Sequence, residues 1–210
     1  MIAIATFLGG ALSVCVALIT AAFNRGVENP DDVEAIGLPV YASLPLSDLQ
    51  MQIEKKAKKQ RGLSPKEALL AEANPADLSI EALRSLRTSL HFAMMEAKNK
   101  ILMISGPSPG IGKSFVSANL AAVIAKTGQK VLVVDADMRK GYMQRHFGLN
   151  WDNGLSDMLS GQQEISDVVK PSGVENLDVV TRGKIPPNPA ELLMHPRFKA
   201  FVDWLRKITT

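Results

Sequence analysis

A glycine-rich segment that ends in lysine and serine is the part of the sequence best suited to bind phosphate. Residues 105–114 read SGPSPGIGKS and lie between an apolar run at 101–104 and an alanine-rich helical pattern at 115–126. Glycines let backbone N–H groups curve around phosphate oxygens, and the helix that follows directs its positive N-terminal end at the same anion. The lysine adds a positive charge, and the serine hydroxyl suits Mg²⁺. We therefore predict a site for a nucleoside triphosphate with its metal ion.

This loop departs from the usual phosphate-binding pattern at one position. The usual pattern begins with a glycine at the place that Pro107 occupies here, and Gly106 stands one residue earlier. A glycine turn that enters a buried helix is the alternative interpretation, but lysine and serine in the required order favour phosphate binding. The predicted nucleotide-binding residues are Ser108, Pro109, Gly110, Ile111, Gly112, Lys113, Ser114 and Phe115.

Two carboxylates follow the next apolar run. Residues 130–135 are predicted to form a strand buried on both faces, and the strand leads into Asp135 and Asp137. In an extended chain, residues two apart point the same way, so both carboxylates are expected at the carboxyl end of the strand, where open α/β sheets bind ligands. One carboxylate then holds Mg²⁺ and the other accepts a proton from an attacking hydroxyl. A capped turn is the alternative.

The remaining elements are expected to position these groups. An amphipathic helix is predicted at 77–98, on which Glu81, Arg84 and Arg87 are spaced three apart; a solvated face tied by ion pairs is one interpretation of this spacing. Further strands are predicted at 40–44, 101–104 and 177–180, and further helices at 155–159, at 165–169, after Pro189 and at 196–208. This order predicts an α/β fold with a mostly parallel sheet flanked by helices.

The N-terminal residues 1–23 contain no charged side chain, and a helix of that length spans a hydrocarbon core of about 30 Å. We therefore predict a transmembrane helix. A cleavable signal peptide is the alternative, but no positive charge precedes the apolar part. Because Arg25 and the later lysines follow the run, the residues after about 24 are predicted to be cytoplasmic. The span then enters from outside, which suggests an internal position in a longer protein.

The composition excludes several classes. The 210 residues are 46% hydrophobic, which is enough for one core of ordinary size, and the single cysteine excludes an internal disulfide. The net charge is +3, but six basic residues lie within 54–66, so the rest of the chain is slightly acidic. This concentration of charge and an aromatic content of 5% argue against nucleic-acid binding. The basic stretch at 55–66 is predicted to be a solvated linker, with attraction to anionic lipid headgroups as a second role.

Taken together, these features resemble the bacterial tyrosine kinases. The most similar members are the proteobacterial kinases that act as co-polymerases in capsular polysaccharide and exopolysaccharide export. The resemblance is carried by the phosphate loop, by the strand and turn at 131–139, by the Glu81-x-x-Arg84-x-x-Arg87 helix and by the apolar segment before them. It implies a P-loop NTPase-type sheet that is incomplete in this chain and preceded by one transmembrane helix. The expected boundaries are 1–23 for that helix, 24–76 for a juxtamembrane segment with the basic linker, and 77–210 for the kinase domain.

The resemblance also implies roles for particular residues. ATP and Mg²⁺ are the expected cofactors; Lys113, Asp135 and Asp137 are the expected catalytic residues, and Ser114 joins the two aspartates at the metal. The double-arginine helix is expected to mediate a ring-like homo-oligomer, in which one subunit phosphorylates the tyrosine tail of its neighbour. The other expected partners are the bacterial inner membrane and the machinery of polysaccharide export and polymerisation, with no nucleic acid.

Two parts of that family are missing from the sequence. The third nucleotide motif and the acceptor tyrosine cluster do not occur, and the only tyrosines are Tyr41 and Tyr142. We therefore expect an internal fragment of such a kinase. The alternatives are an ATPase switch of the partition type and a non-catalytic scaffold whose nucleotide controls oligomerisation.

Overall fold

The computed structural model describes residues 2–23, 29–59, 62–97 and 99–208. It contains two compact units, Met1–Ser43 and Leu44–Thr210. The first unit holds helices α1 (Ile2–Phe23) and α2 (Pro30–Glu34). Among the described residues, no helix is both long and apolar enough to qualify as a membrane span. Residues 2–23 are helical as predicted. Their role as a transmembrane helix is not confirmed.

The second unit contains the remaining helices and a three-stranded sheet. Its helices before the sheet are α3 (Asp48–Lys59), α4 (Pro65–Ala68), α5 (Leu70–Ala73), α6 (Leu78–Ala93) and α7 (Lys113–Ala125). After strand β1 (Val131–Val134) come a 3-10 helix (Met143–Phe147), α8 (Leu155–Leu159), α9 (Ile165–Val168), strands β2 (Val169–Val174) and β3 (Leu177–Val180), and finally α10 (Pro189–Met194) and α11 (Pro196–Ile208).

Both faces of the sheet are covered. The strand order is β1-β3-β2, and β1 runs parallel to β3 with Val133 opposite Val179. These two valines belong to a core formed with α6 and α7, whereas Val134 and Val180 point to a second core formed with α8 and α11. Because side chains alternate along a strand, adjacent residues of β1 supply both cores. The predicted strand buried on both faces is confirmed here.

The sheet is mixed, not mostly parallel as predicted. Strand β2 pairs antiparallel with β3, and its register is irregular between Pro171 and Val174. Sequence analysis missed β2 because proline and glycine at 171 and 173 are unfavourable in strands. The strands predicted at 40–44 and 101–104 are wrong, since neither segment has a ladder partner among the described residues. At 101–104 only Ile104 packs against the core, and Met103 is 84% exposed.

The basic stretch, predicted to be a solvated linker, is helical as far as Lys59. Helix α3 packs Leu49 and Ile53 against the first core, which stabilises a helix that charge alone does not favour. The N-terminus of α4 is capped by reciprocal contacts between Ser64 and Glu67. Lys56 then forms a 2.8 Å ion pair with Glu67, so α3 and α4 are joined by charge as well as by packing. Residues 55–59 are thus helical, a conformation that the linker prediction did not include.

Polar contacts also fasten the short helix α5 to α7. The side-chain oxygen of buried Asn119 accepts a hydrogen bond from the Ala71 N–H at 2.8 Å. The Asn119 amide nitrogen donates to the Phe115 carbonyl at 2.9 Å, and Lys126 Nζ donates to the Ala71 carbonyl at 2.7 Å. Both backbone groups of Ala71 are thus paired with side chains of α7, which fixes the helix that follows the phosphate loop.

Candidate active site

The phosphate loop leads directly into α7. Lys113 is the first residue of the helix, and Gly112 before it has φ = +92°, in the left-handed region that glycine adopts without strain. Gly110 is also left-handed, with φ = +81°. The ammonium of Lys113 donates a hydrogen bond to the Ser108 carbonyl at 2.8 Å, so its positive charge lies across the loop. Together with the N–H groups that lack an intrahelical partner in the first turn of any helix, this arrangement fits a phosphate group.

The chain brings the start of α7 and the end of β1 to the same side of the domain. Five residues, 126–130, join the two elements, and α7 packs against β1. A helix of this length rises about 20 Å, so the short connection makes the strand return alongside it. The carboxyl end of β1, with Asp135 and Asp137, therefore lies at the same end of this layer as Lys113. This is the side on which α/β sheets bind ligands.

Asp135 is the buried member of the carboxylate pair, with 5% of its surface exposed. Its Oδ1 accepts from the Asp137 N–H at 3.1 Å, and its Oδ2 accepts from the Met143 N–H at 3.2 Å. Burial raises the pKa of Asp135, as does the charge of Asp137, while the two backbone hydrogen bonds and the charge of Arg182 oppose the rise. A carboxylate with a raised pKa suits proton transfer near neutral pH.

Asp137 is exposed and is held by the turn that follows it. Its Oδ1 accepts hydrogen bonds from the N–H groups of Arg139 at 3.2 Å and Lys140 at 2.9 Å. Magnesium is usually bound through one or two carboxylates together with phosphate oxygens and water, and Asp135 and Asp137 supply two carboxylates after one strand. In the part of the chain that the structure describes, no group of three or more His, Cys, Asp or Glu side chains is placed to hold a metal ion.

Arg182 is a site residue that sequence analysis missed. It follows β3, whose carboxyl end lies beside that of β1 because the two strands are parallel. Its guanidinium carbon lies 5.9 Å from the centroid of the Trp151 ring, and its Nε and Nη1 atoms are buried without a hydrogen-bond partner among the described residues. The available signal was positional: an arginine two residues beyond a strand parallel to β1 lies at the edge where ligands bind.

The three residues predicted to mediate oligomerisation lie on α6, which packs against α7. Glu81 and Arg84 form an ion pair along the helix, and Glu81 is exposed. Arg84 and Arg87 are partly buried. The structure thus brings Glu81 and Arg84 together on a helix beside the phosphate-loop helix.

Comparison with known proteins assigns the family. A profile of the AAA domain matches residues 90–193. The tyrosine-protein kinase Wzc of Salmonella typhimurium is 51% identical over 199 residues, which are 94% of this chain and 28% of that protein. A tyrosine-protein kinase in the cps region of Klebsiella pneumoniae is 48% identical over 203 residues, 96% of this chain and 28% of that protein. The kinase domain of the Escherichia coli tyrosine kinase Etk superimposes with a TM-score of 0.78 and 47% identity, covering 87% of this chain and 69% of that domain.

The chain belongs to the bacterial tyrosine kinase family. Its second unit is a mixed α/β, P-loop-type domain like the kinase domain of Etk. The similarity to the Etk kinase domain covers 87% of this chain, whereas the AAA profile matches only residues 90–193. The chain spans about 28% of the length of the curated relatives that it matches.

Proposed function

We propose that this chain contributes the nucleotide site of an ATP-dependent protein-tyrosine kinase that autophosphorylates in trans. The observation that carries the proposal is the position of the phosphate loop and the carboxylate pair at the same end of the α7–β1 layer. In a domain so similar to the Etk kinase domain, that arrangement supports phosphoryl transfer. The alternative, a nucleotide switch that does not phosphorylate protein, would also need the phosphate loop but would require no protein acceptor.

The proposed roles follow from the chemistry of each side chain. Lys113 and the first turn of α7 bind the phosphates of ATP, and residues 108–115 surround them. Mg²⁺ supplies positive charge to the transferred phosphoryl group when it is bound. Ser114, Asp135 and Asp137 provide oxygen ligands for it, and one of the two carboxylates accepts the proton of the attacking tyrosine hydroxyl.

Oligomerisation through α6 is part of the proposal. Glu81, Arg84 and Arg87 are charged groups on one helix at spacings that a neighbouring subunit can contact, and guanidinium groups favour carboxylate partners. A ring-like homo-oligomer then brings the tyrosine tail of one subunit to the active site of the next. The Glu81–Arg84 ion pair supports this proposal because it preorients one of the two arginines.

Membrane attachment and the biological process are also proposed. Helix α1 has 22 residues without a charged side chain, and its described apolar side chains are exposed, including Phe7, Leu12 and Leu18. We propose that α1 anchors the kinase in the inner membrane and that the residues after about 24 lie in the cytoplasm. When residues 1–210 are expressed alone, deleting residues 1–23 should move them from the membrane fraction to the soluble fraction. The similarity to the tyrosine-protein kinase in the cps region of Klebsiella pneumoniae supports a role in capsular or exopolysaccharide polymerisation and export.

Incubation of the full-length protein with γ-labelled ATP and Mg²⁺ tests the proposed reaction. The proposal expects the label on tyrosine and its loss when Mg²⁺ is chelated. Release of labelled phosphate without protein labelling would contradict the kinase and favour an ATPase switch. Nucleotide binding without either product would favour a non-catalytic scaffold.

A further inference from the structure

Gly141 lies directly against the Asp135 carboxylate. A Cβ atom at position 141 would stand 2.4 Å from Oδ2 and 2.6 Å from Oδ1 of Asp135, and 2.5 Å from the backbone oxygen of Asp137. Real Cβ atoms essentially never approach another heavy atom more closely than 3.0 Å. No side chain can therefore be added at this buried position unless Asp135 or the turn moves.

The requirement for glycine at this position is one of space and not of backbone conformation. The φ angle of Gly141 lies outside the left-handed region, in contrast to Gly110 and Gly112 in the phosphate loop. An alanine at 141 can adopt the same backbone angles without strain. Its methyl group would meet the Asp135 carboxylate and the Asp137 backbone oxygen, so the substitution tests the close approach of the turn to Asp135.

The close approach of Gly141 also determines the hydrogen bonds that hold the carboxylate. The Gly141 N–H donates to the Asp137 carbonyl at 2.7 Å and closes the turn over Asp135. This closure brings Met143, two residues later, to within 3.2 Å of Oδ2, while Asp137 N–H engages Oδ1 at 3.1 Å. Both oxygens of Asp135 are thus held by backbone groups at the two ends of one turn.

We propose that Gly141 is a positioning residue for phosphoryl transfer, because its missing side chain lets the 137–141 turn close on Asp135 and orient that carboxylate. This inference rests on the proposed function, in which Asp135 serves Mg²⁺ and proton transfer. Gly141 itself contacts neither nucleotide nor tyrosine. It acts through the position of Asp135.

Gly141→Ala should displace the carboxylate and weaken its hydrogen bond from Met143. Turnover should fall about 10- to 100-fold, because the carboxylate no longer lies where the reaction needs it. Nucleotide binding without metal should change less than about twofold, because the phosphate loop is untouched.

The experiment compares wild-type full-length protein with Gly141→Ala and with Lys140→Ala. Lys140 is an exposed neighbour in the same turn, and its substitution keeps the backbone N–H that binds Asp137. The readouts are kcat and KM for phosphorylation and the affinity for a fluorescent ATP analogue with and without Mg²⁺. The proposal expects Lys140→Ala to match wild type and Gly141→Ala to lose most of the Mg²⁺-dependent gain in affinity. An unchanged kcat with an unchanged Mg²⁺ effect, or an equal loss of metal-free binding and turnover, would overturn it.

A second measurement separates the contact with Asp135 from a general loss of folding and from failure of the proposed function. Gly141→Ala is combined with Asp135→Ala, which removes the carboxylate that the new methyl group meets. The fall in melting temperature caused by Gly141→Ala should be at least about halved in the Asp135→Ala background, since contacting residues are not additive. If the falls in melting temperature caused by the two substitutions are additive, the contact is refuted. If wild type labels no tyrosine, the kinase proposal fails, whereas the Mg²⁺ effect and this cycle still decide the role of Gly141.

Discussion

The Met143 N–H donates a hydrogen bond to Oδ2 of Asp135 at 3.2 Å across eight residues of sequence. It fastens the 3-10 helix to the carboxyl end of β1. Because Oδ1 is engaged by the Asp137 N–H, the orientation of the buried carboxylate is set by the turn after β1. The chemistry proposed for this site therefore depends on a local backbone arrangement as much as on the phosphate loop.

Replacing Asp135 with asparagine should abolish most of the phosphoryl transfer. Asparagine has nearly the same size but provides neither a charged metal ligand nor a proton acceptor. We expect kcat for tyrosine phosphorylation to fall at least about 100-fold. Asp178→Asn, an exposed position on β3, is the matched control and should leave kcat unchanged. A fall of less than about threefold in Asp135→Asn would remove this carboxylate from the reaction.

Removing the charges of Arg84 and Arg87 should dissociate the oligomer. The double variant to alanine loses two guanidinium groups on α6, while the buried residues Ile80 and Leu83 that hold the helix in the core remain. Sedimentation of the full-length protein should shift toward the monomer, with nucleotide affinity unchanged within about twofold. Lys199→Ala on α11 controls for the loss of surface charge. An unaltered oligomer would support the solvated-face interpretation of this helix.

Asn119→Leu should destabilise the domain. The Ala71 N–H loses its acceptor in a buried position, and leucine cannot replace the hydrogen bond to the Phe115 carbonyl. We expect a loss of about 1–3 kcal/mol in the free energy of unfolding, the cost of an unpaired buried polar group. Urea unfolding measures it, with Asn150→Leu at an exposed position as the control. Equal stability of the two variants would argue against a structural role for the amide.

His146 should make stability depend on pH in the weakly acidic range. Burial lowers its pKa below the ordinary value of 6.5, and the charge of Arg145 adds to this; the Ala68 backbone hydrogen bond and the charge of Glu54 oppose it. Since the unfolded chain takes up the proton first, the contribution of neutral His146 is complete above pH 6.5 and is lost as the pH falls toward the folded-state pKa. His146→Gln should flatten this dependence in melting curves, and His195→Gln at an exposed site should not. Identical slopes in wild type and His146→Gln would exclude this histidine.

Local sequence signals predicted much of the site and part of the fold. The glycines before Lys113 and the aliphatic run before Asp135 predicted the loop–helix and strand–turn units because both patterns act over a few residues. Helix α6 was predicted from its apolar spacing, although it ends at Ala93 and not at 98. Asp77, which precedes it, accepts a hydrogen bond from the Ser79 N–H.

Features that depend on distant partners were not predictable in the same way. The segment at 101–104 has a strand-like composition, but a strand needs a paired neighbour. Helix α3 has few apolar residues, and its stability comes from packing Ile53 into a core built by residues far along the chain. The positions of Arg182 and Gly141 beside Asp135 depend on which strands are neighbours in the sheet. Only the three-dimensional structure shows this.

Phosphotyrosine formation by the full-length protein, measured by intact-mass spectrometry for wild type and Lys113→Met, tests the central claim most directly. Methionine keeps an unbranched side chain, one atom shorter than that of lysine, but removes the ammonium that lies across the loop. With ATP and Mg²⁺, wild type is predicted to gain phosphate on tyrosine, whereas Lys113→Met is predicted to gain less than about one hundredth as much. Equal tyrosine phosphorylation in both proteins, or none in wild type, would contradict the assignment of this loop and carboxylate pair to tyrosine phosphorylation.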